Sequence, residues 1–160
     1  MENQIISGLN SFLIFQLGSE KFAVNIGHVK KIFEMTAVTK VPHTPDSYLG
    51  IINLFGEVLP VIDGRTKFGL EKKEPDVSTC IVVLMIPLQA EIYHVGFVVD
   101  QVLQVIDIAA ENLSASPEIG EKFKLDYIRS VARVKDEFIL VPEVEKLFGE
   151  VGLTAINTDL

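Results

Sequence analysis

Apolar residues in this chain come in short runs whose spacing changes along the sequence. The first run, FLIFQL at 12–17, is aromatic and β-branched and ends at Gly18-Ser19-Glu20-Lys21, which reads as a strand and a turn into FAV at 22–24. Asn25 is then placed to cap a short helix over 25–33, because Ile26, Val29 and Phe33 share one face at helical spacing. Pro42 and Pro45 mark a loop, and strands are expected at 48–53 and 57–63 with Gly56 between them. Residues 65–70 read as a turn. EKKEPD at 71–76 is the most polar stretch between the two halves.

The second half repeats this style. Residues 79–86 are almost continuously apolar, the pattern of a strand buried on both faces. Strands follow at 91–99 and 101–107, with only Asp100 between them, and at 127–135 and 138–141, joined by Asp136-Glu137. Pro142 fits the first turn of a helix over 142–148 in which Val144, Leu147 and Phe148 share a face and Gly149 is the stop. Residues 151–160 read as a flexible tail. About ten short strands with turn signals every 8–12 residues or so predict an all-β sandwich or barrel rather than a doubly wound α/β sheet. VLPVID at 58–63 returns as VLQVID at 102–107 with unrelated flanks. This is no solenoid period. It reads as two strands in similar environments, one in each of two small barrels.

Composition narrows the function. At 160 residues, 48% of them apolar, the chain is one ordinary domain with enough apolar surface for a sizeable core. A net charge of −8 and the lack of a basic cluster argue against nucleic acid and against docking on an anionic membrane. The longest apolar stretch, 80–88, is interrupted by Pro87 and is far short of the roughly 20 residues that span a bilayer, so no membrane insertion is expected. The beginning, MENQIISGLN, does not read as an export signal. A lone cysteine, Cys80, suits a reducing cytoplasm and reads as a buried structural thiol. These features favour a protein partner in the cytoplasm.

Candidate chemistry is sparse. Asp63, Asp100 and Asp107 are conceivable general acids or bases, but each sits where a strand ends and a turn begins, a common structural use of Asp. His28, His43 and His94 have no metal-ligand spacing, and His94 lies in an alternating strand, which suits a surface or hydrogen-bonded histidine. The glycines at 50, 56, 64 and 69 match no phosphate-binding loop, and no serine sits in a nucleophile elbow. No catalytic residue, metal or cofactor is assigned from the residues.

Four stretches together resemble the CheW family, adaptors that couple bacterial chemoreceptors to the histidine kinase CheA. They are FLIFQLGSEKFAVNI (12–26), VTKVPHTPDSYLGIINLFGEVLPVIDGRTKFG (38–69), HVGFVVDQVLQVI (94–106) and LVPEVEKLF (140–148). The resemblance implies a non-enzymatic adaptor without cofactors. It also implies one CheW-like domain over 10–150, built as two five-stranded SH3-like β-barrels sharing a core, with short helices near 25–33 and 142–148. The subdomains would run approximately over 18–72 and 78–141, with their ends possibly exchanged. A receptor signalling tip would lie in the groove between the barrels against Val29, Gly50, Val102 and Val105. Other faces would meet the CheW-like regulatory domain of the kinase, with Lys31, Asn53, Phe55 and Gly56 on the kinase or partner surface. Such an adaptor is cytoplasmic and recruited to receptor arrays at the membrane.

Three positions depart from the family pattern: Phe55 replaces a usual Arg, Lys31 a usual Glu, and Gly64 a usual Leu. The Lys31 ammonium or its stem is expected to lie over the Phe55 ring. Asp63 is expected to close a strand, and Pro60 to sit at an edge or a bulge where its missing N–H is not needed. Alternative readings are a scaffold for a sensory array other than chemotaxis, a CheV-type adaptor lacking its receiver domain, and an enzyme with an unrecognised carboxylate pair.

Overall fold

The computed structural model describes residues 10–114 and 127–149. The expected tail at 151–160 lies outside them. Strands β1 (Ser11–Leu17) and β2 (Glu20–Asn25) form a hairpin, and the 3-10 turn Ile26–His28 leads into β3 (Val29–Glu34). A second hairpin joins β4 (Tyr48–Leu54) to β5 (Glu57–Asp63), followed by the one-turn helix α1 (Gly64–Lys67). The long strands β6 (Cys80–Leu88) and β7 (Glu91–Val99) come next. β8 (Gln101–Asp107), a 3-10 turn at Ala110–Asn112, β9 (Leu113–Ser114), β10 (Ile128–Val134), β11 (Glu137–Pro142) and helix α2 (Val144–Gly149) complete the order.

Two sheets result, one of six strands in the order β8-β1-β2-β11-β10-β9 and one of five in the order β3-β6-β7-β5-β4. The expected five-plus-five count fails by β9, a two-residue strand too short to leave a sequence pattern. The sheets also do not follow a division into 18–72 and 78–141. β1 and β2 pair with β8 and β11 from the far end of the chain, and the five-stranded sheet runs without interruption from β3 to β7. In the five-stranded sheet the chain leaving β3 at one edge returns to the other edge, where the Thr39 N–H and C=O exchange hydrogen bonds with Ile51 of β4 at 2.9 and 2.8 Å.

The expected helix over 25–33 is three residues of 3-10 turn followed by strand. The Asn25 cap is present, with Oδ1 accepting from the Gly27 N–H at 2.8 Å. A bulge explains the misleading period: Val29 pairs with Leu84 and Lys31 with Val83, leaving Lys30 as the extra residue. The bulge converts the i, i+2 spacing of one strand face into i, i+3, so Val29 and Ile32 share a face although the backbone is extended. The second helix begins at Val144, not in a turn opened by Pro142, which is the last residue of β11. Its buried face, Val144, Leu147 and Phe148, is the expected one.

Apolar burial falls into three layers. Phe12, Ile14, Ala23, Ile108, Ala132, Ile139 and Val141 fill the six-stranded lobe, and Ile52, Leu59, Val61, Ile81, Val83 and Val98 fill the five-stranded one. Between them lies a larger cluster drawn from both sheets, from α2 and from Phe68 just after α1, with Phe22, Phe68, Phe97 and Phe148 fully buried. Its rings touch one another, with Phe22–Phe68 centroids at 4.7 Å and Phe97–Phe148 at 5.8 Å. β6 is buried on both faces because it has one face in this shared layer and the other in its own lobe. β5 and β8, which carry the VLPVID and VLQVID repeat, do lie in different sheets. Their environments differ, however: most of β5 is buried, whereas β8 is an edge strand with no buried residue. Cys80 is half-buried rather than buried, with its thiol donating to the Ser78 carbonyl.

Asp63 closes β5, and its carboxylate accepts from the Thr66 hydroxyl. Pro60 is in a strand that is interior by order, yet it meets no ladder. Its partner Ile51 turns both backbone groups to Thr39, so the Pro60 nitrogen faces away from β4, and pairing with β7 starts only at Val61. Gly64 is buried where α1 meets β7, and a Cβ there would stand 2.4 Å from the Val98 carbonyl oxygen. That contact explains why this chain does not carry a larger residue at the site.

One ion pair pins the lobes where β7 of one sheet becomes β8 of the other. Arg65 binds Asp100 through Nε at 2.9 Å and Nη2 at 2.9 Å, and the Gly18 N–H of the β1–β2 turn donates to the same carboxylate at 2.8 Å. Burial alone would raise the Asp100 pKa, but the Arg65 and Gly18 bonds outweigh it and hold it below the ordinary carboxylate value. A depressed folded-state pKa contributes stability above the unfolded value, and that contribution is lost as pH falls through the folded one. Asp100→Asn should therefore destabilise the fold by about 1–3 kcal/mol at neutral pH, with the gap to wild type narrowing below about pH 4. Urea melts at both pH values check this, and a gap that does not change with pH would refute it.

Gly50 sets a second test. It is buried next to a β4 bulge at φ +146°, and a Cβ there would lie 2.0 Å from the Thr39 carbonyl oxygen that accepts from Ile51. Gly50→Ala should lower stability by about 2–3 kcal/mol through this overlap. An unchanged melting temperature would show that Thr39 moves aside freely.

Candidate protein-docking surfaces

The candidate carboxylates are engaged separately. Asp100 is held by Arg65 and Gly18, Asp63 accepts from Thr66, and Asp107 accepts from the Ser11 hydroxyl at 2.7 Å. Asp63 and Asp100 line the same surface cleft but flank the Arg65 guanidinium, which neutralises them. Asp107 lies apart, at the far end of β8 from Asp100. The histidines also serve locally: His28 Nδ1 lies 3.3 Å from the Met85 carbonyl oxygen, and His94 Nδ1 lies 2.6 Å from Glu57. Among the described residues no three His, Cys, Asp or Glu side chains converge as a metal site.

Two surfaces remain. The first runs along the outer strands β3 and β8, each hydrogen-bonded on one side only. β8 carries the same bulge as β3: Val102 pairs with Phe15 and Gln104 with Ile14, leaving Leu103 as the extra residue. Val102 and Val105 are thereby turned to the side of Phe15 and Leu13, the shared-core side, just as Val29 is on β3. Val29 and Val102 are half-buried against the shared core, and Val105 is 53% exposed. Three of the four residues expected at a receptor surface therefore occupy one kind of position, the shared-core face of an edge strand. Gly50 does not. It is buried in β4, where a Cβ would meet the Thr39 carbonyl oxygen. Sequence reasoning missed Ile32, which is 39% exposed and stands on β3 where Val105 stands on β8. The signal was the three-residue spacing shared by Val29 and Ile32 and by Val102 and Val105.

The second surface is the tip of the β4–β5 hairpin. Phe55 at φ +51° and Gly56 at φ +89° form a two-residue loop whose sign of φ suits the twist of a hairpin. Asn53 Oδ1 accepts from the Gly56 N–H at 2.9 Å and holds the turn closed. Phe55 is 89% exposed, and Lys31 Nζ lies 4.4 Å from its ring centroid, the contact expected from sequence. Behind the tip Glu57 receives Lys30 at 3.3 Å and His94 at 2.6 Å, which ties the hairpin to β3 and β7. Burial raises the Glu57 pKa, but His94 and Lys30 more than cancel this and leave it below the usual glutamate range. Of the four residues expected here, Asn53 and Gly56 shape the loop, while Phe55 and Lys31 are displayed.

The family model described as "CheW-like domain" matches residues 11–152. A chemotaxis protein CheW of Rhizobium meliloti is 30% identical over 144 residues, covering 90% of each chain. A chemotaxis protein CheW of Klebsiella aerogenes is 30% identical over 146 residues, covering 91% of this chain and 86% of that one. Among solved structures, the scaffolding protein TtCheW of Thermoanaerobacter tengcongensis superposes with a TM-score of 0.79 at 27% identity, covering 87% of this chain and 92% of that one. The two sheets around a shared core agree with the fold of this solved relative. The chain belongs to the CheW-like family of chemotaxis coupling proteins.

Proposed function

We propose that this chain is a non-enzymatic adaptor that couples the cytoplasmic signalling tip of chemoreceptors to the regulatory domain of a CheA-type histidine kinase. The observation that supports this reading is that β3 turns different side chains to its two faces. Val29 and Ile32 face the shared core, while Lys31 and Phe33 alternate to the other side. An adaptor needs this separation to hold both partners at once. Receptor helices would pack against Val29, Val102 and Val105, with Ile32 extending the row, as an amphipathic helix lays apolar anchors into a groove. The hairpin tip with Lys31 and Phe55 would face the kinase. The chain would act in the cytoplasm at membrane-associated receptor arrays. It uses no cofactor in this reading, and neither nucleic acid nor lipid is a partner.

A second reading, a scaffold in a sensory array other than chemotaxis, draws on Lys31 and Phe55, which replace the acid and base usual in the family. It changes the identity of the partners and not the mode of action. Val105→Asp tests the receptor surface, because Val105 is exposed and the change should leave the fold intact. Titration with a receptor signalling fragment should show at least about tenfold weaker binding, with affinity for the kinase regulatory domain retained. Undiminished receptor binding would remove β8 from the site.

A further inference from the structure

The β4–β5 tip is built at a cost that the contacts among the described residues offset only in part. A phenylalanine in left-handed backbone gives up about 1 kcal/mol or more relative to glycine or asparagine. Here the ring recovers little of it, because it is 89% exposed and touches a lysine that is itself exposed. The backbone beneath the ring is stiff, since Asn53 closes the turn and Glu57 is held by Lys30 and His94. The parallel alignment of β5 with β7 carries Ile92, 66% exposed, to the same end of the lobe, beside the exposed Pro87 of β6. This end carries Lys30 and Lys31 beside Glu57 and Glu91; Lys30 is paired with Glu57, and Lys31 lies over the Phe55 ring.

We infer that Phe55 is an aromatic anchor for the kinase regulatory domain, and that the domain meets it with an apolar pocket rimmed by a carboxylate that pairs with Lys31. This rests on the adaptor reading above and names the partner chemistry of its second surface. The kinase rather than the receptor is the occupant because the valines used for receptor helices lie on the opposite face of β3. Lysine over the ring leaves the ring's other face free to enter a pocket, and the ammonium stands at the pocket mouth for an incoming carboxylate. A stiff hairpin gives up little conformational freedom on docking, which favours affinity.

The decisive variant is Phe55→Asn. Asparagine suits the left-handed position, so the melting temperature should hold or rise. Affinity for the kinase regulatory domain should nevertheless fall about tenfold or more, while affinity for the receptor signalling fragment stays unchanged. Lys31→Glu should weaken kinase binding and abolish its decline with added salt. Wild-type kinase affinity in both variants would overturn the assignment while leaving the adaptor reading in place. A loss confined to the receptor fragment would overturn it in favour of a receptor contact. A wild-type protein that binds neither partner would overturn the adaptor reading itself, and this assignment with it.

Discussion

Everything displayed on this molecule depends on the ring cluster around Phe68. Neither sheet has more than a small apolar layer of its own, and the larger burial is the one they make together. Each fully buried phenylalanine contributes roughly 1.5–3 kcal/mol, and favourable ring pairs add about 0.5–1.5 kcal/mol. Phe22 comes from one sheet, Phe97 from the other, and Phe68 and Phe148 from the chain that follows β5 and β11. Since interior strands turn one face to the private layer and the other to the shared one, little apolar surface is left to show. What is left includes Ile32 and Val105 on edge strands, Phe55 at a hairpin tip and Val77 in the loop before β6.

The same economy appears as an internal repeat. Glu57, Asp63 and Phe68 fall at the same spacing as Glu137, Glu143 and Phe148, each set running from the start of a strand through its end into a short helix. The hairpins containing them have matching registers, with a bulge at Leu49 in one and Arg129 in the other, and each makes a parallel pair, β5 with β7 and β11 with β2. β3 and β8 complete the correspondence with identical bulges. The two lobes are thus built on one plan, and their valines come to equivalent places from distant parts of the chain.

This explains what the sequence made legible. Strand positions and the barrel-like class could be read because burial alternates or runs continuously within short segments bounded by Gly, Pro and Asp. The shared layer could not, because pairing between β1–β2 and β8–β11 is set by contacts remote in sequence. The visible repeat, VLPVID and VLQVID, misled because it matches an interior strand with an edge strand, whereas the true counterpart of β5 is β11, whose residues differ. Bulges blurred the rest by giving extended strands a helical spacing. At the candidate surfaces Val29, Val102 and Val105 were expected from the family resemblance rather than from local pattern, and of the local contacts Lys31 over the Phe55 ring was legible. The meaning of Gly50 was not, because the obstacle, the Thr39 carbonyl, is brought there only by folding.

The bulges tie stability to function. An open edge strand is a template for unwanted pairing, and β3 and β8 are two such edges in one small domain. An extra residue in each interrupts the regular row of N–H and C=O groups, and on β3 that residue is Lys30, which adds a charge. The same insertion turns Val29 and Ile32, and Val102 and Val105, to one side in pairs. A single backbone irregularity therefore blocks strand addition and leaves a side-chain surface suited to helices, whose backbone needs no hydrogen bonds from a partner. Lys30 also reaches Glu57, so the bulge that protects the edge helps to hold the hairpin that presents Phe55.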